Sequence, residues 1–274
     1  MKPPVGMVAV IQFPGSNCEY ETMNVIRKTG LGCGIFRWNQ LEELGDADPD
    51  AFVIPGGFSF QDRVRAGAVA AKERVMDLVF RAAVDGKPVL GICNGAQILV
   101  ESGLVPGRDP GRIEAALAAN HVPGRSGYLS SWIFVKAGPG AGKAGPWLSA
   151  LGDDPIPLPI AHAEGRFVFS DDGEADEVGA LVYCDHRGRV NGEYPENPNG
   201  SQGNLAAVAG MGGNVLAMMP HPERAFGIRH LPPWIPGKWG DERKRAWSGN
   251  RLEDTPGPGA LFFESLLRYL ERGE

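Results

Sequence analysis

The chain has 274 residues, 43% of them hydrophobic, and a formal net charge of -6. This size and composition allow one substantial core, so we expect a single domain spanning residues 1–274. The negative charge offers no broad positive surface for phosphate backbones, and no apolar run approaches the roughly 20 residues of a membrane helix, so neither nucleic acid nor a membrane is an expected partner.

The amino-terminal segment and the cysteines indicate in which cellular compartment the protein is located. The first apolar run is broken at once by Pro14 and Gly15 and is too short for a secretory signal. The four cysteines, at positions 18, 33, 93 and 184, form no CxxC pair and are too few for a disulfide scaffold. We therefore expect a cytoplasmic protein.

The first half of the chain alternates between strand and helix patterns. Ser16 or Asn17 is expected to cap the first helix, which Gly30 ends. Strands are predicted at 5–13, 33–38, 51–54 and 88–92, and helices at about 17–29, 64–84 and from just after Cys93 to near Gly103. This alternation is typical of a parallel sheet flanked by helices.

The second half reads instead as paired strands. They are predicted at 129–137, 156–161, 166–170, 181–184, 205–209 and 215–219, with hairpins among them. Residues 138–145 are expected to form a flexible surface loop and 191–204 an ordered turn. We interpret about 228–258 as an insertion and 259–272 as a closing amphipathic helix. The predicted class is α/β, with a mostly parallel central sheet and added antiparallel strands in the C-terminal half.

One cysteine lies in a distinctive setting. Cys93 stands between Gly91 and Gly95 at a predicted strand-to-helix junction, which is the thiol form of the nucleophile elbow. The start of the following helix favours a thiolate, and the Asn94 N–H would point toward a developing oxyanion. We therefore predict Cys93 as a nucleophile rather than an inert buried thiol. The other three cysteines lack flanking glycines at these offsets.

Two His-x-Glu pairs could supply the base that such a cysteine needs. His162 and Glu164 follow one apolar strand, and His221 and Glu223 follow another. Pro222 stiffens the second turn and favours the pair of His221 and Glu223. Spacing alone does not decide which of the two pairs supplies the base. A metal site that recruits both pairs is the weaker alternative, because no cysteine or third histidine has ligand spacing. The Gly56-Gly57 loop after a strand is a further ligand-binding candidate.

Seven motifs over residues 5–226 resemble the class I (triad-type) glutamine amidotransferases, and among them the glutaminase subunits of phosphoribosylformylglycinamidine synthase. Ala96, the segment 61–63 and the long 228–258 segment depart from the family pattern. The motifs are Phe13-Pro14-Gly15-Ser16-Asn17-Cys18, Pro55-Gly56-Gly57-Phe58-Ser59, Arg65-Ala66-Gly67-Ala68, Gly91-Ile92-Cys93-Asn94-Gly95, Pro159-Ile160-Ala161-His162-Ala163-Glu164-Gly165-Arg166, Asn197-Pro198-Asn199-Gly200-Ser201 and Met218-Met219-Pro220-His221-Pro222-Glu223-Arg224.

The resemblance implies roles for particular residues and a flavodoxin-like or Rossmann-like fold. It implies Cys93 as nucleophile, His221 as general acid/base and Glu223 as its orienting carboxylate. It also implies that Gly57 and Asn94 donate backbone N–H groups to the oxyanion and that Gln97 helps hold glutamine. The resemblance assigns no role to His162 or Glu164.

The resemblance further implies partners and a reaction. Glutamine would be hydrolysed to glutamate and ammonia, and the ammonia would convert formylglycinamide ribonucleotide to formylglycinamidine ribonucleotide in purine biosynthesis. No cofactor or metal is expected in this chain. It has no Walker-type loop, so ATP and Mg belong to the partner. The partners would be a large synthase subunit, PurL, and a small subunit, PurS, with Arg63, Arg65 and residues 241–245 as interface candidates.

Two alternatives belong to other functional classes. A cysteine peptidase or a DJ-1-like enzyme would also use a cysteine and a histidine, but would not need the 197–201 and 221–223 motifs together. A non-enzymatic metal-binding module would not depend on Cys93 for its activity.

Overall fold

The computed structural model describes residues 3–122, 124, 127–170 and 172–273. Eleven strands and eight helices are found in this part of the chain. The strands are β1 (Val5–Gln12), β2 (Leu31–Arg37), β3 (Ala51–Ile54), β4 (Val89–Ile92), β5 (Ala115–Ala118), β6 (Leu129–Ala137), β7 (Ile156–His162), β8 (Arg166–Phe169), β9 (Gly179–Cys184), β10 (Leu205–Gly210) and β11 (Val215–Met218). The helices are α1 (Glu19–Thr29), α2 (Leu41–Ala47), α3 (Val75–Val84), α4 (Asn94–Glu101), α5 (Gly145–Leu148), α6 (Asp172–Val178), α7 (Gly237–Ser248) and α8 (Ala260–Arg272).

Nine strands form one sheet in the order β2-β1-β3-β4-β11-β10-β9-β6-β7. The first five of these are parallel, and the remaining pairings are antiparallel. The parallel half has the 2-1-3-4 order of flavodoxin-like sheets. The predicted mostly parallel sheet with antiparallel additions is therefore confirmed. A separate ribbon pairs β5 with β8.

Burial explains why the central strands are continuous apolar runs. β3, β4 and β11 are buried at every position, as expected for parallel strands covered on both faces. A second, smaller hydrophobic cluster of Ile228, Leu231, Ile235 and Ala246 packs against side chains of β6. Among the described residues, no helix combines the length and apolarity needed to span a bilayer.

The predicted helix over 64–84 is wrong in its first half. Only its last ten residues form α3, whereas Val64 has a φ of 73° and Gly67 a φ of 80°. A Cβ on Gly67 would lie 2.7 Å from the backbone of Gln97, so this segment packs directly on α4. Its small residues serve close packing rather than helix formation, which composition alone does not distinguish.

Smaller corrections concern helix caps and short elements. Cys18 rather than Ser16 or Asn17 is the N-cap of α1, and it makes no side-chain capping bond. The prediction gave no bounds for α2, β5, α5, α6 or α7. The stretch 138–145, expected to be a surface loop, contains a 3₁₀ turn and ends at the buried Ala144. The 191–204 segment is the ordered turn expected, because Asn197 Oδ1 accepts the N–H groups of Gly200 and Ser201.

Candidate active site

The strand–turn–helix bend predicted at Cys93 is present. Cys93 links β4 to α4 with φ 52° and ψ -104°, a conformation that costs about 1–3 kcal/mol for a residue with a side chain. Its N–H donates to the carbonyl of Met218 on the neighbouring strand at 2.8 Å, and its Sγ lies 3.5 Å from the carbonyl oxygen of Ala161. Only 6% of Cys93 is exposed, so reagents reach the sulfur through a pocket rather than from open solvent.

Gly95 makes this bend possible by letting α4 approach β3. A Cβ at this position would lie 2.0 Å from the carbonyl oxygen of Ile54. We expect Gly95→Ala to lower the free energy of unfolding by at least about 2 kcal/mol, because a packed core resists added atoms. Urea unfolding measures this change.

The matched control for Gly95→Ala is Gly45→Ala in α2, where nothing lies within 4 Å of the new Cβ. Alanine there should raise the free energy of unfolding by about 0.5–1 kcal/mol, because it restricts the unfolded chain. Equal effects of the two substitutions would contradict this account of Gly95.

Sheet topology brings His221 to the same edge as Cys93. β11 runs parallel to β4, with Met218 opposite Ile92, so the residues that follow both strands meet at their carboxyl ends. The His221 N–H donates to the carbonyl of Pro159 at 2.9 Å, which ties the turn to β7. This convergence of distant parts of the chain could not be obtained from spacing.

His221 and Glu223 form a buried pair. Nδ1 of His221 lies 2.5 Å from Oε1 of Glu223, and the two residues are 2% and 3% exposed. Burial by itself would lower the pKa of His221, but the charges of Glu223 and Cys93 outweigh it and hold that pKa well above 6.5. The imidazole therefore holds its proton more strongly than a free histidine does, with Glu223 on one side and Cys93 on the other.

The other His-x-Glu sequence does not form a pair. His162 Nδ1 lies 3.1 Å from Asn120 Oδ1, while Glu164 Oε2 accepts the N–H of Ala66 at 3.3 Å. Burial lowers the pKa of His162 to about 3, so this imidazole is neutral. His162 is itself buried, at 3% exposed. The choice that spacing left open is resolved in favour of His221 and Glu223 as the interacting pair.

A pocket opens beside the Cys93 sulfur. Five residues that the sequence singled out line it: Gly57, Cys93, Gln97, His162 and Glu164. The rings of Phe58 and Tyr128 also line it, with centroids 6.4 Å apart. The full lining is Gly57, Phe58, Asp62, Ala66, Cys93, Gln97, Tyr128, Ala161, His162, Ala163 and Glu164. A larger cavity near Asp50 and Lys87 carries none of the candidate residues.

Side-chain bonds organise the wall of this pocket. Gln97 Nε2 donates to the carbonyl of Glu164 at 2.6 Å, and Gln97 Oε1 accepts from Asn94 at 2.9 Å. Asn94 Oδ1 in turn accepts the N–H of Ser59 at 3.0 Å. Thus Asn94 and Gln97 join the loop after β3, α4 and the turn after β7 around the nucleophile.

Sequence reasoning missed one carboxylate of the pocket, Asp62, and one neighbouring thiol, Cys18. Burial, and then the charge of Glu164, raise the pKa of Asp62, so the two acids repel each other across the pocket. Cys18 lies beside the His221–Glu223 pair, on the side where the Gly56 backbone comes close. Asp62 and Cys18 both lie in or next to recognised motifs. No sequence pattern indicated that Asp62 lines the pocket or that Cys18 lies beside the His221–Glu223 pair.

Comparisons with known proteins identify the family of the chain. Residues 6–253 match the CobB/CobQ-like glutamine amidotransferase domain. The chain is 44% identical over 96% of its length to the PurQ subunit of phosphoribosylformylglycinamidine synthase from Methanothrix thermoacetophila, covering 98% of that protein. It is 42% identical over 79% of its length to the PurQ subunit from Pyrococcus furiosus, covering 88% of it.

A solved structure shows the same relationship in three dimensions. The chain superposes with a TM-score of 0.68 and 29% identity on a chain of PurLQS from Thermotoga maritima, covering 97% of this chain and 99% of that one. These matches give no support to the peptidase, DJ-1-like or metal-module alternatives. The chain therefore belongs to the CobB/CobQ-like glutamine amidotransferases and, within them, to the PurQ subunits of phosphoribosylformylglycinamidine synthase.

Proposed function

We propose that this amidotransferase hydrolyses glutamine with Cys93 as nucleophile, His221 as general acid and base, and Glu223 as the carboxylate that orients and charges His221. The observation that carries the proposal is the buried His221–Glu223 pair at 2.5 Å, at the strand edge where Cys93 forms the elbow. The other His-x-Glu sequence is not joined in this way, because His162 contacts Asn120 and Glu164 accepts the N–H of Ala66.

The chemistry follows from this arrangement in two steps. Cys93 Sγ attacks the side-chain amide carbon of glutamine, and backbone N–H groups of Gly57 and Asn94 hold the oxyanion. His221 gives its proton to the amide nitrogen, so the C–N bond breaks and ammonia leaves. Water, deprotonated by His221, then cleaves the thioester, which releases glutamate and restores Cys93. The raised pKa of His221 supports the first step, because the proton is already in place.

The ammonia is proposed to pass to a synthase subunit. The relatives are named as subunits of phosphoribosylformylglycinamidine synthase, and the similar structure is a PurLQS assembly. We therefore propose PurL and PurS as partners, with ATP and Mg used by PurL to form formylglycinamidine ribonucleotide. This chain would need no cofactor of its own for the glutaminase step.

The test of this function is covalent trapping. A diazo-ketone analogue of glutamine should label Cys93 once per chain, as located by mass spectrometry, and glutamine should protect against it. Ammonia release should rise when PurL and PurS are added. Labelling of Cys18 instead of Cys93, or the absence of ammonia release in the complete assembly, would overturn the proposal.

We further propose that Asp62 and Glu164 receive the α-ammonium group of glutamine. Both line the pocket beside Cys93, and their mutual repulsion is relieved when a cation enters between them. Asn94 Nδ2 lies 3.4 Å from Asp62 Oδ1, and the Ala66 N–H binds Glu164, so both carboxylates are anchored to the pocket wall.

Loss of one of these carboxylates should weaken glutamine binding selectively. We expect Asp62→Asn to raise KM for glutamine by about 10- to 100-fold with a small change in kcat, because a charged hydrogen bond is worth about 1.5–3 kcal/mol. Steady-state kinetics with glutamine and with its deamino analogue, 5-amino-5-oxopentanoate, measure the effect.

The analogue provides the control for this prediction. Wild-type protein should prefer glutamine, and Asp62→Asn should reduce that preference by the same factor as it raises KM. Arg63→Gln, at an exposed neighbouring position whose guanidinium donates to Gln61 Oε1, should leave the preference unchanged. Equal losses with both substrates would contradict the role of Asp62.

We propose that residues 1–274 act as one domain with an insertion at about 228–258. The exposed Trp234 and Trp247, 66% and 67% accessible, favour this segment as a partner contact. The charges of 241–245 pair within α7, and Arg65 forms a bidentate pair with Glu101, so these groups are less available. A cytoplasmic location is consistent with four free thiols.

A further inference from the structure

Cys18 forms a cluster with two residues of the proposed catalytic machinery. One ligand atom from each of Cys18, His221 and Glu223 lies within 4.8 Å of the others, and all three residues are buried. Among the described residues, this is the group of histidine, cysteine and acid side chains that could hold a metal ion. The glutaminase steps described above make no use of the Cys18 sulfur.

Two buried atoms of this cluster have unused bonding capacity. Nε2 of His221 and Oε2 of Glu223 find no hydrogen-bond partner of ordinary geometry in the described part of the chain. Buried polar atoms are nearly always bonded. The proton transfer proposed above accounts for Nε2 of His221, since Nδ1 is held by Glu223, but it leaves Oε2 of Glu223 unexplained. Here the two belong to neighbouring side chains that also share the Cys18 thiol.

The cluster already attracts a positive charge. Arg224 donates from Nη2 to Cys18 Sγ at 3.0 Å, and its Nε lies 3.9 Å from Glu223 Oε1 and 2.9 Å from Glu21 Oε1. A guanidinium therefore stands where a cation would bridge the sulfur and the carboxylate. Arg224 is about one-third exposed, so it can move aside without leaving the protein surface.

An entry path lies on the side of the cluster away from the substrate. Glu223 and Arg224 line a surface cavity together with Glu21, Asn24 and Lys28, whereas Cys93 lines the substrate pocket and not this cavity. A small ion could reach Arg224 here without crossing the substrate pocket, and it reaches the buried Glu223 carboxylate once the Arg224 guanidinium moves aside.

We propose that Cys18, His221 and Glu223 form a binding site for a soft divalent cation such as Zn²⁺, and that its occupation inhibits glutamine hydrolysis. Thiolate, imidazole and carboxylate are the three ligand types that zinc takes. Burial raises the pKa of the Cys18 thiol to about 11, and the pKa of His221 is also raised, so binding of the ion releases one proton from Cys18 and one from His221 to solvent. Inhibition follows because the ion takes both the imidazole and its orienting carboxylate, and this part rests on the proposed role of His221.

Binding can be tested apart from catalysis with Co²⁺ as the probe. In full-length Cys93→Ser protein, Co²⁺ should produce thiolate-to-cobalt charge-transfer absorption from Cys18. Adding Cys18→Ser to this background should abolish the band and weaken binding at least tenfold, whereas adding Cys33→Ser should leave both unchanged. A band that persists without Cys18, or no band in Cys93→Ser protein, overturns the site.

A gain-of-binding variant guards against loss through misfolding. Arg224→Gln in the Cys93→Ser background should bind Co²⁺ more tightly, because it removes the cation that competes for Cys18. Unchanged or weaker binding overturns the proposal.

Inhibition is tested with wild-type protein. Zn²⁺ should inhibit ammonia release, and a chelator should restore it. The Cys18→Ser protein should need at least tenfold more Zn²⁺ for the same inhibition. If the protein binds Co²⁺ but has no glutaminase activity, the result contradicts the proposed function and leaves the metal site standing.

Discussion

Replacing Cys93 with serine is expected to lower the rate of glutamine hydrolysis by at least about 10³-fold, because removing a nucleophile leaves only binding and oxyanion stabilisation. The hydroxyl would occupy the same strained bend beside the protonated His221, but it is a far weaker nucleophile than a thiolate. Ammonia release from glutamine, measured with the assembled synthase, gives the result.

Supplying ammonia directly separates chemistry from assembly. The Cys93→Ser complex should still form product from ammonium salts, because the change leaves docking and the synthase site intact. Cys33→Ser is the matched control: that thiol is also buried, but it lies on β2 opposite Val8, away from the pocket. A Cys93→Ser protein that hydrolyses glutamine at a rate near that of wild type would refute the mechanism.

Glu223→Gln should lower kcat/KM for glutamine by about 10²- to 10⁴-fold. The amide keeps the size of the carboxylate, but it removes the charge that offsets burial and keeps His221 protonated. Without that charge, burial lowers the pKa of His221, so the proton for the departing ammonia is less available. Glu21→Gln is the control, because it removes a partner of Arg224 without contact to Nδ1 of His221.

The same substitution should change how stability depends on pH. The pKa of His221 is raised in the folded state, so this group stabilises the fold fully below about 6.5, its unfolded value. Above 6.5 the unfolded chain binds fewer protons than the folded one, and the stabilisation is lost as pH rises toward the folded pKa.

Urea unfolding between pH 6 and pH 9 measures this contribution. The decline in unfolding free energy attributable to His221 should be present in wild type and in Glu21→Gln, and it should be largely absent in Glu223→Gln. Parallel curves for wild type and Glu223→Gln would show that the carboxylate does not hold the proton on His221.

Much of the parallel half of the fold was predictable because its strands are buried on both faces. β1, β3 and β4 read as short apolar runs between turn residues, and their positions match the predictions within a residue or two. The helix over 64–84 failed because Val64 and Ala66 look helical by composition, whereas α4 demands a close-packed irregular segment there. Tertiary contact overrode local propensity.

Local sequence alone determined the elbow at Cys93, because flanking glycines, a preceding buried strand and a following helix all act within a few residues. It could not decide between His162 and His221, nor place Asp62 or Cys18. Those outcomes depend on which strands become neighbours: β11 pairs with β4 and delivers His221 to Cys93, while β7 lies at the sheet edge and its histidine turns to Asn120. Strand pairing joins residues more than a hundred positions apart, and only the packed sheet establishes it.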